Sequence, residues 1–354
     1  MTDWTTTLAA QGARFHQDEA SAVEDFGSTL AVADLANGFV CAVTDLGLIG
    51  VAGDDAATFL HAQLTNDIAH LGLDEARLAG FCTPKGRLQA TFLVWRDAGN
   101  IYLQLPRALQ PALQKRLSMF VLRAKAKLRD ATQEDAHAAV LGFGGAAGAD
   151  ALAAVAGVAL PAAPYGKVEG EAGTVIRLAD ALGAPRWLWL TSAERAVAAL
   201  PQLRERLALG GNAAWQLAAI HAGVPQVTAA TQEQFVPQMI NFELLGGVNF
   251  KKGCYPGQEI VARSQYLGKL KRRTALATIA DATVAAGTEV FAAADPGQPC
   301  GMVVNAVPNG AGGVDALVEM KLEALEAGAV HARAADGPAL QFQPLPYVLD
   351  KLDV

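Results

Sequence analysis

Cysteine is sparse in this chain and widely scattered. Four residues, Cys41, Cys82, Cys254 and Cys300, stand far apart, with no CxxC pair and no histidine at metal-ligand spacing. That pattern neither staples a small secreted fold nor builds a zinc site, so no metal is expected and reduced thiols in a cytoplasm are the simplest account. Long apolar runs are missing as well. The most apolar tract, ALAAVAGVALPAA at 151–163, is too short to span a bilayer and contains Pro161, so no membrane partner is expected. The opening residues, MTDWTTTLAAQGARFHQDEA, lack the basic start and apolar core of a secretory leader. Charge is thin at 18%, and the formal net charge of −7 disfavours a protein coated in nucleic acid. What is plentiful is apolar surface: 52% hydrophobic residues over 354 positions can fill about two to three packed domains.

Patterning divides the chain. LIGVAG, residues 48–53, reads as a short strand, with Asp54 or Asp55 placed to cap a following helix on which Leu60, Leu64, Ile68 and Leu71 recur at helical spacing. ATFLVW and IYLQL read as strands joined by the turn RDAGN. Leu113, Leu117 and Val121 mark a second helix, and AKAKLRD alternates like a strand. The order β-α-β-β-α-β is that of the split ferredoxin-like unit. A similar cadence follows: AAVLGF as strand, ADALAAVAG as helix, TVIRLAD and WLWLTS as a hairpin, then helices in AERAVAALPQLRERLAL and NAAWQLAAIHAG. From Thr274 the runs TALATIA, TEVFA, GMVVNAV, VDALVEM, VHARAA and LQFQPL are short and punctuated by Gly, Pro and Asn, as in a small β-barrel or sandwich. The expected class is therefore α+β. Residues 1–46 and 131–267 form one discontinuous domain, 47–130 an inserted ferredoxin-like domain, and 268–354 a C-terminal β-barrel.

Two motifs stand out. Gly142, Gly144 and Ala147 spell G-x-G-x-x-A between a strand and a helix, the local setting of a dinucleotide fingerprint. The hairpin that follows does not supply the next β-α-β step, so a flexible loop is the expectation there. The second motif lies in NFKKGCYPGQEIVARSQYLGKLKRR, residues 249–273. Gly253 and Gly257 bracket a turn restricted by Pro256, and GQEIVARSQYLG reads as a helix with Glu259 in its first turn. Cys254 would then sit just ahead of a helix N-terminus beside Lys251 and Lys252, a setting that favours thiolate; a small buried hydrophobe is the bland alternative. The segment also carries Arg263, Lys269, Lys271, Arg272 and Arg273 against the single acid Glu259, a positive island on an acidic chain and hence a candidate anion site.

A thiol enzyme would want a histidine base. His16, His61, His70, His137, His221 and His331 are the choices, none in a diagnostic context; His61 and His70 read as surface residues. Trp187 and Trp189 alternate onto one strand face, and Trp215 opens a helix; core packing is the plain reading of all three.

The strings WQLAAIHAGVP and QFVPQMINFELLGGVNFKKGCYPGQEIVAR resemble the YgfZ family of folate-binding proteins linked to iron–sulfur cluster maintenance, a family related to the aminomethyltransferase (T protein) of the glycine cleavage system. GDDAATFLHAQLTNDI, TPKGRLQATFLV and CGMVVNAV fit as well, so the resemblance covers most of the chain. It implies three domains, two ferredoxin-like units and a small β-barrel, around a central channel for tetrahydrofolate. It implies that Cys254 is a functional thiol, and that Lys252, Gly253, Tyr255, Gly257, Gln258, Glu259 and Arg263 shape its loop and meet the ligand. Trp215 falls where the family has a folate-binding tryptophan, Leu46 where a second tryptophan stands, and His221 where the T protein's acidic residue helps hold the pterin. The T protein's aspartate has no counterpart between Lys85 and Trp95. The resemblance thus implies a cytoplasmic folate-binding factor that serves iron–sulfur client proteins and meets nucleic acid only through tRNA-modifying enzymes. A folate-dependent one-carbon transferase, or a factor binding tRNA directly through 263–273, are the alternatives.

Overall fold

The computed structural model describes residues 4–17, 19–268 and 270–349; Lys269 of the basic run lies outside them. Three large sheets organise the chain, with a two-stranded hairpin of Arg14–His16 and Glu19–Asp25 beside them.

The first sheet orders its five strands as Ala76–Cys82, Leu88–Arg96, Asn100–Pro106, Leu46–Ala52 and Lys127–Asp130, all antiparallel. Without Ala76–Cys82 it is the expected split unit, with helices Ala56–Gln63 and Gln110–Met119. The edge strand ARLAGFC was not read from sequence, because Gly80 and a nearly continuous apolar run hide its alternation. The first helix is also shorter than its apolar spacing predicts. It stops at Gln63, where Leu64 bridges to Phe81 and the Thr65 N–H donates to Gly80 O at 2.9 Å. Leu60, Leu64, Ile68 and Leu71 are all buried even so. The spacing reported burial; the new edge strand supplied backbone partners that ended the helix. Asp55 stands at the N-cap, but its carboxylate accepts the Lys125 N–H at 2.7 Å instead of capping.

The second sheet runs Lys167–Gly170, Gly173–Ala181, Ala184–Thr191, Ala139–Gly144, Phe39–Ala42, Ala208–Gly210. Only the last pair is parallel. Phe39–Ala42 inserts between Ala139–Gly144 and Ala208–Gly210, the first and last strands of a second split unit whose helices are Gly148–Ala156 and Ala193–Arg204, so the N-terminal segment joins this sheet as expected. Trp187 and Trp189 are buried in its core with Phe143 and Leu200.

The C-terminal sheet contains all six short strands read from sequence, in the order Val330–Ala332, Glu289–Ala292, Gly301–Pro308, Val314–Lys321, Arg272–Ile279, Leu340–Gln343, antiparallel throughout. It curls until its two ends touch, through an isolated bridge between His331 and Ala339. One apolar cluster, including Leu93, Leu188, Trp215 and Leu317, runs through all three sheets and holds them as one body. No helix among the described residues is long and apolar enough to cross a membrane.

Candidate functional site: a three-sheet cavity and a separate thiol loop

Where the sheets meet they leave a cavity of roughly 280 Å³. The first sheet contributes Leu46, Thr91, Leu93 and Gln104, the second Leu178, Arg186 and Leu188, and the third Asn305 and Val307. Helix Asn212–His221 closes one side with Trp215 and Gln216. Its position is fixed at the N-terminal turn: Asn212 Oδ1 accepts the N–H groups of Thr44 and Asp45 at 2.8 and 3.3 Å, and Gln216 Nε2 donates to Asp45 Oδ2 at 2.5 Å. Across the cavity, Asn305 and Gln226 exchange two hydrogen bonds of 2.9 Å, tying the third sheet to the turn after the helix.

The Trp215 indole lies flat against the second sheet. A Cβ at Gly142 would stand 2.3 Å from its Cε3, so the strand can pass only as glycine. A Cβ at Gly144 would likewise meet the Phe39 ring at 2.5 Å. The G-x-G-x-x-A string is therefore neither a dinucleotide fingerprint nor a flexible loop. Its glycines lie in an ordered strand, antiparallel to both neighbours, and make room for aromatic rings.

Two charged residues line this cavity, Asp45 and Arg186. Arg186 is 2% exposed, and its guanidinium carbon sits 5.0 Å from the Trp215 ring centre, a cation–π contact. Burial pulls its pKa down to about 10, with Tyr165, Asp180 and Cys41 opposing, so it stays a cation at neutral pH. Nothing local in GAPRWLWL marks Arg186 as a cavity residue.

Leu46 lines the cavity, as the resemblance implied, but His221 does not. His221 points into the C-terminal sheet, where its Nε2 is 2.7 Å from Asp315 Oδ2 in a buried pair. Burial alone would raise the Asp315 pKa. Hydrogen bonds from His221, Asn309 and Thr278 outweigh it and hold the carboxyl below its ordinary value. At the position where the T protein has its acid, this chain's His221 braces helix to sheet.

Cys254 is exposed, so the buried-hydrophobe alternative is excluded. Its loop is pinned from one side by residues just after the shortened first helix. Thr65 Oγ1 donates to Gly247 O at 2.6 Å, Asn66 Nδ2 donates to Gly246 O at 2.7 Å, and the Asn249 N–H donates to Thr65 O at 3.0 Å. Lys252 Nζ donates to His61 O at 2.6 Å and Gly253 O at 3.1 Å, and lies 4.7 Å from the Tyr255 ring centre. Burial lowers the Lys252 pKa to about 8 against the pull of Asp67 and Cys254. Tyr255 is buried, which raises its phenol pKa, and its N–H donates to Gln258 Oε1 at 3.3 Å. Gly257, at φ +83°, precedes helix Gln258–Tyr266; a Cβ there would lie 2.4 Å from Thr83 O. Glu259 and Arg263 are exposed on that helix.

The structure therefore separates the site residues read from sequence. Trp215 is in the cavity wall. Lys252, Gly253, Cys254, Tyr255, Gly257, Gln258, Glu259 and Arg263 are not; within their segment Lys252 and Gly253 lie against His61, and Gly257 against Thr83 and Gly86. Sequence reading missed two residues behind them. The His61 side chain is 19% exposed, not a surface group. Its Nδ1 lies 3.0 Å from Asp67 Oδ1, and its Nε2 lies 3.6 Å from where a Gly253 Cβ would stand. The positive island also shrinks: Arg272 pairs with Glu319, and Arg273, 3% exposed, pairs with Glu243. Burial raises both acids' pKa values, the arginines opposing it. Two of the island's arginines are thus paired with buried acids.

The architecture is that of the glycine-cleavage aminomethyltransferases. Compared with the crystal structure of glycine cleavage system aminomethyltransferase T from Bartonella henselae, the TM-score is 0.74 at 17% identity, covering 97% of this chain and 96% of that one. Within that fold, sequence assigns the family. The chain is 32% identical over 313 residues to the tRNA-modifying protein YgfZ of Photorhabdus laumondii, covering 87% of this chain and 92% of that protein. To the YgfZ of Pectobacterium carotovorum it is 32% identical over 243 residues, 69% and 71% of the two chains. It belongs to the YgfZ family. No family model matches it.

Proposed function

We propose that this chain is a tetrahydrofolate-binding accessory protein for assembling or repairing iron–sulfur clusters in client enzymes, among them enzymes that modify tRNA. The observation carrying the folate half is the cavity: a flat indole wall, apolar sides, and a few hydrogen-bonding groups with one acid and one base. A pteridine needs these elements, a stacking face and both donors and acceptors at its edge. Bound folate would supply one-carbon chemistry. The chain's own residues stack the ring (Trp215), present hydrogen bonds (Gln104, Gln216) and exclude water (Leu46, Leu93, Leu188). We assign the chain to the three domains 1–46 with 131–267, 47–130, and 268–354, so that each contributes one wall.

Cys254 acts outside the cavity lining. An exposed thiol on a loop braced at both ends can reach a partner protein or a cluster in transit, and nothing in that loop needs the cavity to open. The tRNA effect is then indirect. Direct tRNA binding through 263–273 is disfavoured by the internal pairing of Arg272 and Arg273, because phosphate contact needs free cations. The test is complementation of a strain lacking the protein, read by the activity of a cluster-dependent tRNA-modifying enzyme. Wild type restores it and Cys254→Ala does not. Full restoration by Cys254→Ala overturns the thiol role. Steady release of formaldehyde or methylene-tetrahydrofolate by purified protein would instead favour a one-carbon transferase.

A further inference from the structure

Arg186 stands out among the buried polar groups because its surroundings leave it incomplete. Its Nε donates to Ala179 O at 3.0 Å, which fixes the plane of the guanidinium. Its Nη1 is buried and has no hydrogen-bond partner among the described residues. A buried N–H without an acceptor costs free energy, and the cost is larger on a charged group. The strand also holds the side chain rigidly, since Arg186 is paired to Leu178 in register and packed over Trp215. A free donor on a rigid, dehydrated cation in a cavity wall is a built half of a hydrogen bond.

We propose that Arg186 is a specificity-determining residue that donates from Nη1 to the 4-oxo oxygen of a pteridine stacked on Trp215. This rests on the folate reading of the cavity and goes further by naming the atom recognised. A ring oxygen suits the position better than a tail carboxylate. The guanidinium lies beside the indole that holds the flat ring, and a dianionic tail would have to be stripped of water to reach a site only 2% exposed. A 4-amino ring places a donor against a donor there, leaves Nη1 unpaired, and is rejected for that reason.

The experiment compares tetrahydrofolate with its 4-amino-4-deoxy counterpart by calorimetry on the full chain. Wild type should prefer the 4-oxo ligand by roughly 10- to 100-fold, as expected for loss of a hydrogen bond to a charged donor. Arg186→Met should erase that preference, and Arg186→Gln, which keeps a neutral donor, should retain part of it. Equal binding of the two ligands by wild type overturns the proposal without any variant and leaves the folate reading intact. An equal loss of both ligands in Arg186→Met, with the ratio unchanged, also overturns it and assigns the guanidinium to the tail. If wild type binds neither ligand, the folate reading itself fails.

Discussion

Replacing Gly142 by alanine tests how the cavity wall is built. The added Cβ would lie 2.3 Å from Cε3 and 2.6 Å from Cζ3 of Trp215. Comfortable carbon–carbon contact begins at about 3.5 Å, so the indole must retreat by roughly 1 Å or the strand must bend. The strand is paired on both sides, to Ala184–Thr191 and to Phe39–Ala42, so the ring is the softer partner. Movement away from the strand shifts a ring that lines the cavity. Overpacking of this kind costs about 1–3 kcal/mol of stability. Urea melts read that cost, and tryptophan emission together with tetrahydrofolate titration reads the displaced ring. Gly144→Ala is a second probe of the same wall. Its Cβ would strike Phe39 at 2.5 Å and stand 3.2 Å from Arg186 Cγ, so it should destabilise by a similar amount and disturb ligand affinity through Arg186 and not through the indole. If Gly142→Ala melts like wild type and binds folate normally, Gly142 does not seat the indole and the packing argument is wrong.

Other consequences follow from the buried charges. Asp315→Ala leaves His221, Thr278 and Asn309 without their shared acceptor and should cost about 3–5 kcal/mol, measured by chemical denaturation. Because the Asp315 pKa is lowered in the fold, its contribution is complete above the ordinary carboxylate range and is lost as pH falls through the folded value. The variant should therefore show a flatter acid limb in its melting temperature than wild type. Lys252 has the same sign in a higher pH window: its folded pKa, about 8, lies below its unfolded value, so the unfolded chain binds more protons between the two. Its contribution to stability rises with pH from about 8 upward to the ordinary lysine range, and Lys252→Met should lack that rise in a melting series from pH 7 to 10. Arg273→Met strands Glu243 in the core and should be more damaging than Arg263→Met, whose residue is exposed; paired melts decide it.

Local pattern carried most of the fold. The split β-α-β-β-α-β units, the six C-terminal strands and the helix after Gly257 follow from apolar period and turn residues within windows of ten or so positions. The failures share a cause. Ala76–Cys82 looked unlike a strand because both its faces are covered, and the helix ended at Gln63 because that strand offered bonds nearby. Arg272 and Arg273 read as a solvated run because their partners, Glu319 and Glu243, are far away in sequence. The site was legible in the same uneven way. The string KGCYPGQE announced a special loop, and Gly257 is indeed held by close backbone approach. Its separation from the Trp215 cavity, the bracing of its loop by Thr65 and Asn66, and the open valence of Arg186 are matters of tertiary placement that no window of sequence contains.

The central claim is that the cavity takes a folate and that Trp215 forms its stacking wall. Calorimetric titration of the purified chain with tetrahydrofolate tests it most directly, with Trp215→Phe beside wild type to keep the core filled. The account predicts saturable binding to wild type at one site per chain and weaker binding to Trp215→Phe. No heat of binding with folded wild-type protein, or equal affinity in the two proteins, would contradict it.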